Sequence, residues 1–255
     1  MAAFELALWQ GADGIELDVH LSSDGVPVVI HDARLRRTTS GNGWVSAHRA
    51  NALRRLDAGS WFNRRFPEKG CHRYVGANIP LLSEVLAWIR QHKLLAFVEI
   101  KEGGNAQPGV EAKVLDEVER AGVQRLATII SFDLATLRRV RELDPRISLG
   151  LDVSRSLLAI RRVGSLAGGA ILPHWAIASR GFIRRAHEHS IRVFAWTVDQ
   201  PAQMERKIAD GVDGIITNYP ARLAEVLRNV QSSDRQEPEA RSQKSGDRGW
   251  VVGSI

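Results

Sequence analysis

A chain of 255 residues, 44% of them hydrophobic and 25% charged, fits one large globular domain or two small ones. Its single cysteine, Cys71, excludes a disulfide framework, and no apolar run reaches the roughly 18 residues that a membrane helix needs. The net charge of +6 points to anionic partners such as phosphates, nucleic acid or lipid headgroups.

The chain opens on MAAFELALWQGA, a helical pattern with Phe4, Ala7 and Leu8 on one face and a stop at Gly11. No residue of capping type marks its start, and Met1 falls inside the pattern. The expectation is therefore a first helix entered partway, with the strand ahead of it absent; a short natural first helix is the alternative. GIELDV (14–19) follows as a strand, and the polar turn SSDG leads into VPVVIHD (26–32), read as a hairpin extension. Residues 49–73 concentrate Arg49, Arg54, Arg55, Arg64, Arg65, Lys69 and Arg73 against Asp57 and Glu68. That run reads equally as a solvated face or as an anion-facing surface.

From residue 81 the pattern becomes regular. Helical segments at 81–93, 109–122, 133–144, 181–190, 201–211 and 221–229 carry apolar residues at helical spacing. Between them lie the near-continuous apolar runs LAFVEI (95–100), TIISF (128–132), ISLGLDV (147–153), GAILP (169–173), VFAWTV (193–198) and GIIT (214–217). Such runs suit parallel strands covered on both faces. Gly122 and Gly211 stand where helices end, and Ser83 and Asp133 near where they start.

Repeated strand–helix units predict an α/β fold, a TIM-type (βα)8 barrel with its first strand missing from this chain. An open doubly wound sheet is the alternative, but no strand is followed by a glycine-rich loop. A barrel short of one strand leaves unpaired edges at 14–19 and 214–217, which predicts low solubility or self-association. The barrel domain is expected over 1–229, with 44–79 as a small insertion. The polar segment 230–255 is expected to be disordered, with no role assigned to its apolar end, WVVGSI.

Acidic residues inside an apolar strand are costly unless something pairs with them. Glu16 and Asp18 are two apart in GIELDV and share one strand face, while Leu17 and Val19 face the other way. Glu99 and Lys101 repeat the spacing in FVEIK. Glu16, Asp18 and Glu99 can converge on one hard divalent cation through oxygen ligands. The competing reading is a buried ion network neutralised by Lys101. His31, just past an apolar run, reads either as a structural histidine or, beside the acids, as a general acid or base. His174 could line the same rim, and Trp196 at a late strand end could pack against a substrate's carbon skeleton. His187 and His189 lie two apart on a helix and face different ways.

Several stretches together resemble the glycerophosphodiester phosphodiesterase family: residues 2–32, RTTSGNG (37–43), IPLLSEVL (79–86), FVEIK (97–101), IISFD (129–133), VFAWTVD (193–199) and DGIITNYP (213–220). The resemblance covers about 2–229. It implies a TIM-type barrel that hydrolyses glycerophosphodiesters to an alcohol and glycerol 3-phosphate. It implies a divalent cation, Mg2+ or Ca2+, held by Glu16, Asp18 and Glu99. His31 would match one of two catalytic histidines, Lys101 the lysine near the phosphate, and Trp196 the tryptophan lining the substrate pocket. Residues 44–79 would match the insertion over that pocket.

The sequence departs from the family pattern at the front. A strand ending in His-Arg-Gly and a loop with Glu-Asn-Thr are absent, and with them the second catalytic histidine, an arginine and a metal-site glutamate. Asn218 stands where Asp is common. Impaired activity is expected of the chain as it stands. A non-catalytic barrel that binds phosphodiesters or lipid headgroups is the alternative. A barrel lipase that attacks choline- or inositol-bearing phospholipids fits less well, because only Trp61, Phe62 and Phe66 offer an apolar contact. No nucleic-acid partner and no transmembrane segment are expected, and the cytoplasm is the expected location.

Overall fold

The computed structural model describes residues 1–101, 108–155, 159–164, 169–236 and 250–253. In chain order the elements are α1 (Ala2–Trp9), β1 (Gly14–Leu21), β2 (Pro27–Val29), α2 (Ala50–Leu53), α3 (Ser60–Arg65), α4 (Leu82–His92), β3 (Leu95–Ile100) and α5 (Val110–Ala121). They continue with β4 (Ala127–Ser131), α6 (Leu134–Leu143), β5 (Ser148–Val153), α7 (Ala159–Gly164), β6 (Ala170–Pro173), α8 (Arg180–Glu188), β7 (Arg192–Ala195), α9 (Pro201–Asp210), β8 (Gly214–Thr217), α10 (Pro220–Gln236) and β9 (Trp250–Gly253). Short 3₁₀ turns occupy Leu35–Arg37, Val45–Ala47 and His72–Tyr74.

The strands pair in the order β2-β1-β3-β4-β5-β6-β7-β8-β9, and β9 pairs back with β1. Among the described strands only β2 runs antiparallel, as a hairpin arm with Val19 opposite Val29 and Leu21 opposite Pro27. The remaining eight strands close a ring with helices between them, a TIM-type (βα)8 barrel.

The eighth strand comes from the far end of the chain. Trp250–Gly253 pairs in parallel with β8, Gly214 opposite Trp250 and Thr217 opposite Gly253. It also pairs in parallel with β1, Gly14 opposite Val252 and Ile15 opposite Gly253. The two edges expected to be open are therefore paired, and the physical cause offered for self-association is removed. Backbone donors and acceptors on β1 and β8 need partners, and a short β-branched apolar run supplies them. Gly253 suits this place because a Cβ there would lie 2.8 Å from the Ala7 Cβ on α1. The expectation of a disordered tail over 230–255 is corrected at two points: α10 continues to Gln236, and 250–253 is a strand. Residues 237–249 lie outside those described.

The fold divides into two compact units. The first comprises Met1–Ala3 and Leu17–Ser148. Its helices form as their patterns predict. In α5, Val110, Val114 and Val118 are buried four residues apart, and Gly122 closes the helix in the left-handed conformation with φ 67°. Asp133 caps α6 by accepting from the Ala135 and Thr136 amides. Glu84, rather than Ser83, ties down the start of α4 by accepting from the Leu81 amide. A small core packs Val45, Leu53 and Ile79 of the insertion against Val28 of β2 and Leu35.

The second unit comprises Phe4–Glu16 and Leu149–Ile255. Ser179 caps α8 by accepting from the Phe182 amide, and Gly211 ends α9 with φ 91°. β7 stops at Ala195, short of the expected 198. Beyond it Trp196 makes a single bridge to His174, and the Val198 amide bonds to the Ile216 carbonyl. The short helix α7 was not anticipated. Among the described residues, no helix is long and apolar enough to cross a membrane.

If β9 closes the ring, a chain ending at residue 236 exposes two strand edges. Its thermal unfolding midpoint should fall by several degrees and size-exclusion chromatography should show oligomers. A shortened chain that stays monomeric with an unchanged midpoint would show that the ring does not depend on β9.

Candidate active site

β1 sorts its side chains by alternation. Ile15, Leu17 and Val19 are buried on one face, and Glu16, Asp18 and His20 alternate with them on the other. Glu99 enters from β3, two residues before Lys101. The carboxylates of Glu16, Asp18 and Glu99 each offer an oxygen within 4.8 Å of the others, and all three residues are buried, at 8%, 3% and 6% exposure.

Lys101 joins this cluster. Its Nζ donates to Glu99 Oε2 at 2.8 Å and lies 2.8 Å from Asp18 Oδ1. Burial alone would lower the lysine pKa, but the charges of Asp18 and Glu99 outweigh it and raise the value. Glu99 is pushed up to about 7 by burial, with Asp18 adding to the rise and Lys101 opposing it. The cluster thus holds three acids and one lysine. A dry site with surplus negative charge and only oxygen donors fits one hard cation. The sequence reading brought these four residues together, and the geometry agrees.

His31 follows β2 and is fixed to β1 at two backbone points. The Ile30 amide donates to the Asp18 carbonyl at 3.1 Å. His20 Nε2 lies 3.2 Å from the His31 carbonyl, which can only accept, so the His20 ring donates. Burial lowers the His20 pKa, against the raising effects of the His31 carbonyl and Asp18. The His31 ring meets Asp32, Nδ1 to Oδ1 at 2.7 Å. Arg37 grips the same carboxylate, Nε to Oδ2 at 2.5 Å and Nη2 to Oδ1 at 2.7 Å. These bonds from Arg37 hold Asp32 down to about 2, against some burial, with His31 helping. His20, Asp32 and Arg37 were missed as site residues from sequence. The alternation Glu16–Asp18–His20 carried the signal for the first.

In the second unit, Trp196 stands just past β7. Its indole N–H donates to the Leu172 carbonyl, and its ring meets His174 edge-on at 5.3 Å. Asn218, where the resemblance would place Asp, donates through Nδ2 to Asp199 Oδ2 at 2.9 Å. The Thr217 hydroxyl and the Asn218 amide donate to Asp199 Oδ1. A carboxylate at 218 would instead oppose Asp199 charge to charge. His187 and His189 do not converge: His187 Nε2 lies 2.8 Å from Asp213 Oδ2, and His189 Nδ1 meets the Arg185 carbonyl. The half-buried Cys71 is held by Asn63 through both its amide and its carbonyl.

A divalent cation held at this cluster would take Glu99 in its carboxylate form. Below pH about 7 the metal-free chain holds a proton there, so binding must release it. Divalent-cation affinity should rise from pH 5 towards about 7 and then level. Calorimetry at about pH 6 in two buffers of different ionisation enthalpy should show proton release on binding. Identical heats in both buffers would remove Glu99 as the proton source.

The sequence model of the Glycerophosphoryl diester phosphodiesterase family matches residues 1–222, a span that ends before β9. The chain is 35% identical over 233 residues to a glycerophosphodiester phosphodiesterase of Caldanaerobacter subterraneus subsp. tengcongensis, covering 89% of this chain and 91% of that protein. It is 32% identical over 234 residues to one of Bacillus subtilis, covering 86% and 78%. Among solved structures, a putative glycerophosphoryl diester phosphodiesterase from Silicibacter pomeroyi superposes with TM-score 0.80 at 26% identity, covering 89% of this chain and 87% of that one. A phosphodiesterase from Oleispira antarctica, solved in complex with the product sn-glycerol-3-phosphate, gives 0.77 at 26% identity, covering 89% and 90%. A match of this extent in both sequence and fold makes the chain a member of the glycerophosphoryl diester phosphodiesterase family.

Proposed function

We propose that this chain hydrolyses glycerophosphodiesters to an alcohol and glycerol 3-phosphate at the Glu16–Asp18–Glu99–Lys101 cluster. The observation that carries the reading is that cluster: three buried carboxylates within 4.8 Å of one another and a lysine paired to two of them. Glu16, Asp18 and Glu99 would hold one divalent cation, Mg2+ or Ca2+, which when bound supplies positive charge to the phosphodiester oxygens.

The remaining roles fall to the chain's own groups. Lys101, charged across the working pH range, would leave its carboxylate partners in part for a phosphoryl oxygen and oppose the charge that develops there. His31 would move a proton at Nε2, from an attacking hydroxyl or water or towards the departing alkoxide. Trp196 would present an apolar surface to the substrate's carbon skeleton. The basic insertion would favour approach of an anionic diester.

Glycerol 3-phosphate release from glycerophosphocholine, with Mg2+ or Ca2+ added in turn, tests the reading. His31→Gln should lower kcat by roughly 10²–10⁴-fold. If the chain binds the diester with either metal and never turns it over, the protein is a binding barrel.

Trp196→Ala, in the same assay, should raise KM several-fold with a smaller effect on kcat. An unchanged KM would remove Trp196 from the substrate's surroundings.

A further inference from the structure

We propose that Asp32, clamped by Arg37, is a positioning residue that fixes which ring nitrogen of His31 faces the reacting atoms. The inference rests on the hydrolase reading for the role of His31, but its geometry stands independently.

The argument starts from what Asp32 can accept. The Arg37 guanidinium takes both of its oxygens in a two-point fork, the strongest geometry for a carboxylate. Asp32 is therefore ionised throughout the working range, held down to about 2. An ionised carboxylate has no proton to give. The 2.7 Å contact with His31 then has one polarity: Nδ1–H donates and Oδ1 accepts. The neutral ring must carry its proton on Nδ1, and Nε2 is left with its lone pair.

An imidazole free in water prefers the opposite tautomer, with the proton on Nε2. The site reverses that preference. The contact with Asp32 limits the ring's rotation, while the bonds of the His31 carbonyl to His20 and of the Ile30 amide to the Asp18 carbonyl fix the backbone beneath it. Backbone and ring are thus fixed from two directions, and Nε2 is the nitrogen left to exchange a proton with substrate. When Nε2 takes that proton, the ring becomes a cation beside Asp32, which stabilises the charge without itself being protonated.

Arg37 has a separate part. Its own side chain is 57% exposed and that of Asp32 is 22% exposed. Without the fork, Asp32 can turn to water. The Arg37 guanidinium also lies 6.0 Å from the centre of the Trp61 ring on α3, at the outer limit of a cation–π contact. The insertion therefore touches the far end of the same relay.

The test uses the full chain with ¹⁵N-labelled histidine and long-range proton–nitrogen correlation at about pH 8.5, above the usual histidine range. His31 is identified by loss of its signal in His31→Gln. In the unmodified chain it should show the Nδ1–H pattern. Asp32→Ala should switch it to the Nε2–H pattern, and Arg37→Gln should give a mixture. The signals of His187 and His189 should stay in place and report that the fold is intact. In the diester assay, Asp32→Ala should lower kcat by roughly 10²-fold with KM within about twofold.

An Nε2–H pattern in the unmodified chain, or no change in Asp32→Ala with the other histidines unmoved, overturns the proposal. An unchanged pattern in Arg37→Gln removes Arg37 from it. If the tautomer switches as stated but the unmodified chain releases no glycerol 3-phosphate, the ring's positioning is upheld and the hydrolase reading is what fails.

Discussion

Lys101 between Asp18 and Glu99 is the contact on which the rest of the site depends. Three carboxylates buried at one place cannot all stay charged without a cation, because each is out of water and each repels the others. The lysine compensates one of them with two 2.8 Å contacts. Glu99 answers the remaining imbalance by holding its proton up to about 7. The cluster is therefore both a structural ion network and a place a divalent cation can enter. The two readings of the sequence draw on one set of residues.

That arrangement requires β1 and β3 to lie side by side, and the ring of strands enforces it. β1 carries Glu16 and Asp18 on one face and seals the other with Ile15, Leu17 and Val19. Its antiparallel arm, β2, ends just before His31. The same hairpin thus supplies two candidate metal ligands and the proton-transfer candidate. β9 pairs with β1 at Gly14 and Ile15, directly ahead of Glu16. A strand from the far end of the chain therefore pins the N-terminal half of the strand that carries the acids.

The surrounding charges are organised in the same way. Arg37 holds Asp32, and Asp32 holds His31; Asn218 and Thr217 satisfy Asp199 in the second unit. In each case a carboxylate is fixed by donors from neighbouring turns rather than by a single partner. Such multiply bonded acids keep their orientation.

Periodicity alone determined most of the architecture, since hydrophobic runs of parallel-strand type and helices closed by Gly122 and Gly211 leave little choice of fold. Alternation within GIELDV and FVEIK determined that Glu16 shares a face with Asp18, and Glu99 with Lys101, because a strand's period of two admits no other sorting. What the sequence could not decide was contact between residues far apart in the chain. The pairing of Trp250–Gly253 with β1 and β8 depends on two strand edges that exist only once the ring is assembled, so WVVGSI carried no local sign of its place. The grip of Arg37 on Asp32 depends on a 3₁₀ turn that brings residues five apart into a two-point fork. The shift of Glu99 depends on burial beside Asp18. Local pattern set the elements and sorted their faces; only the tertiary structure set which charges meet, because burial and long-range distance are properties of the assembled fold.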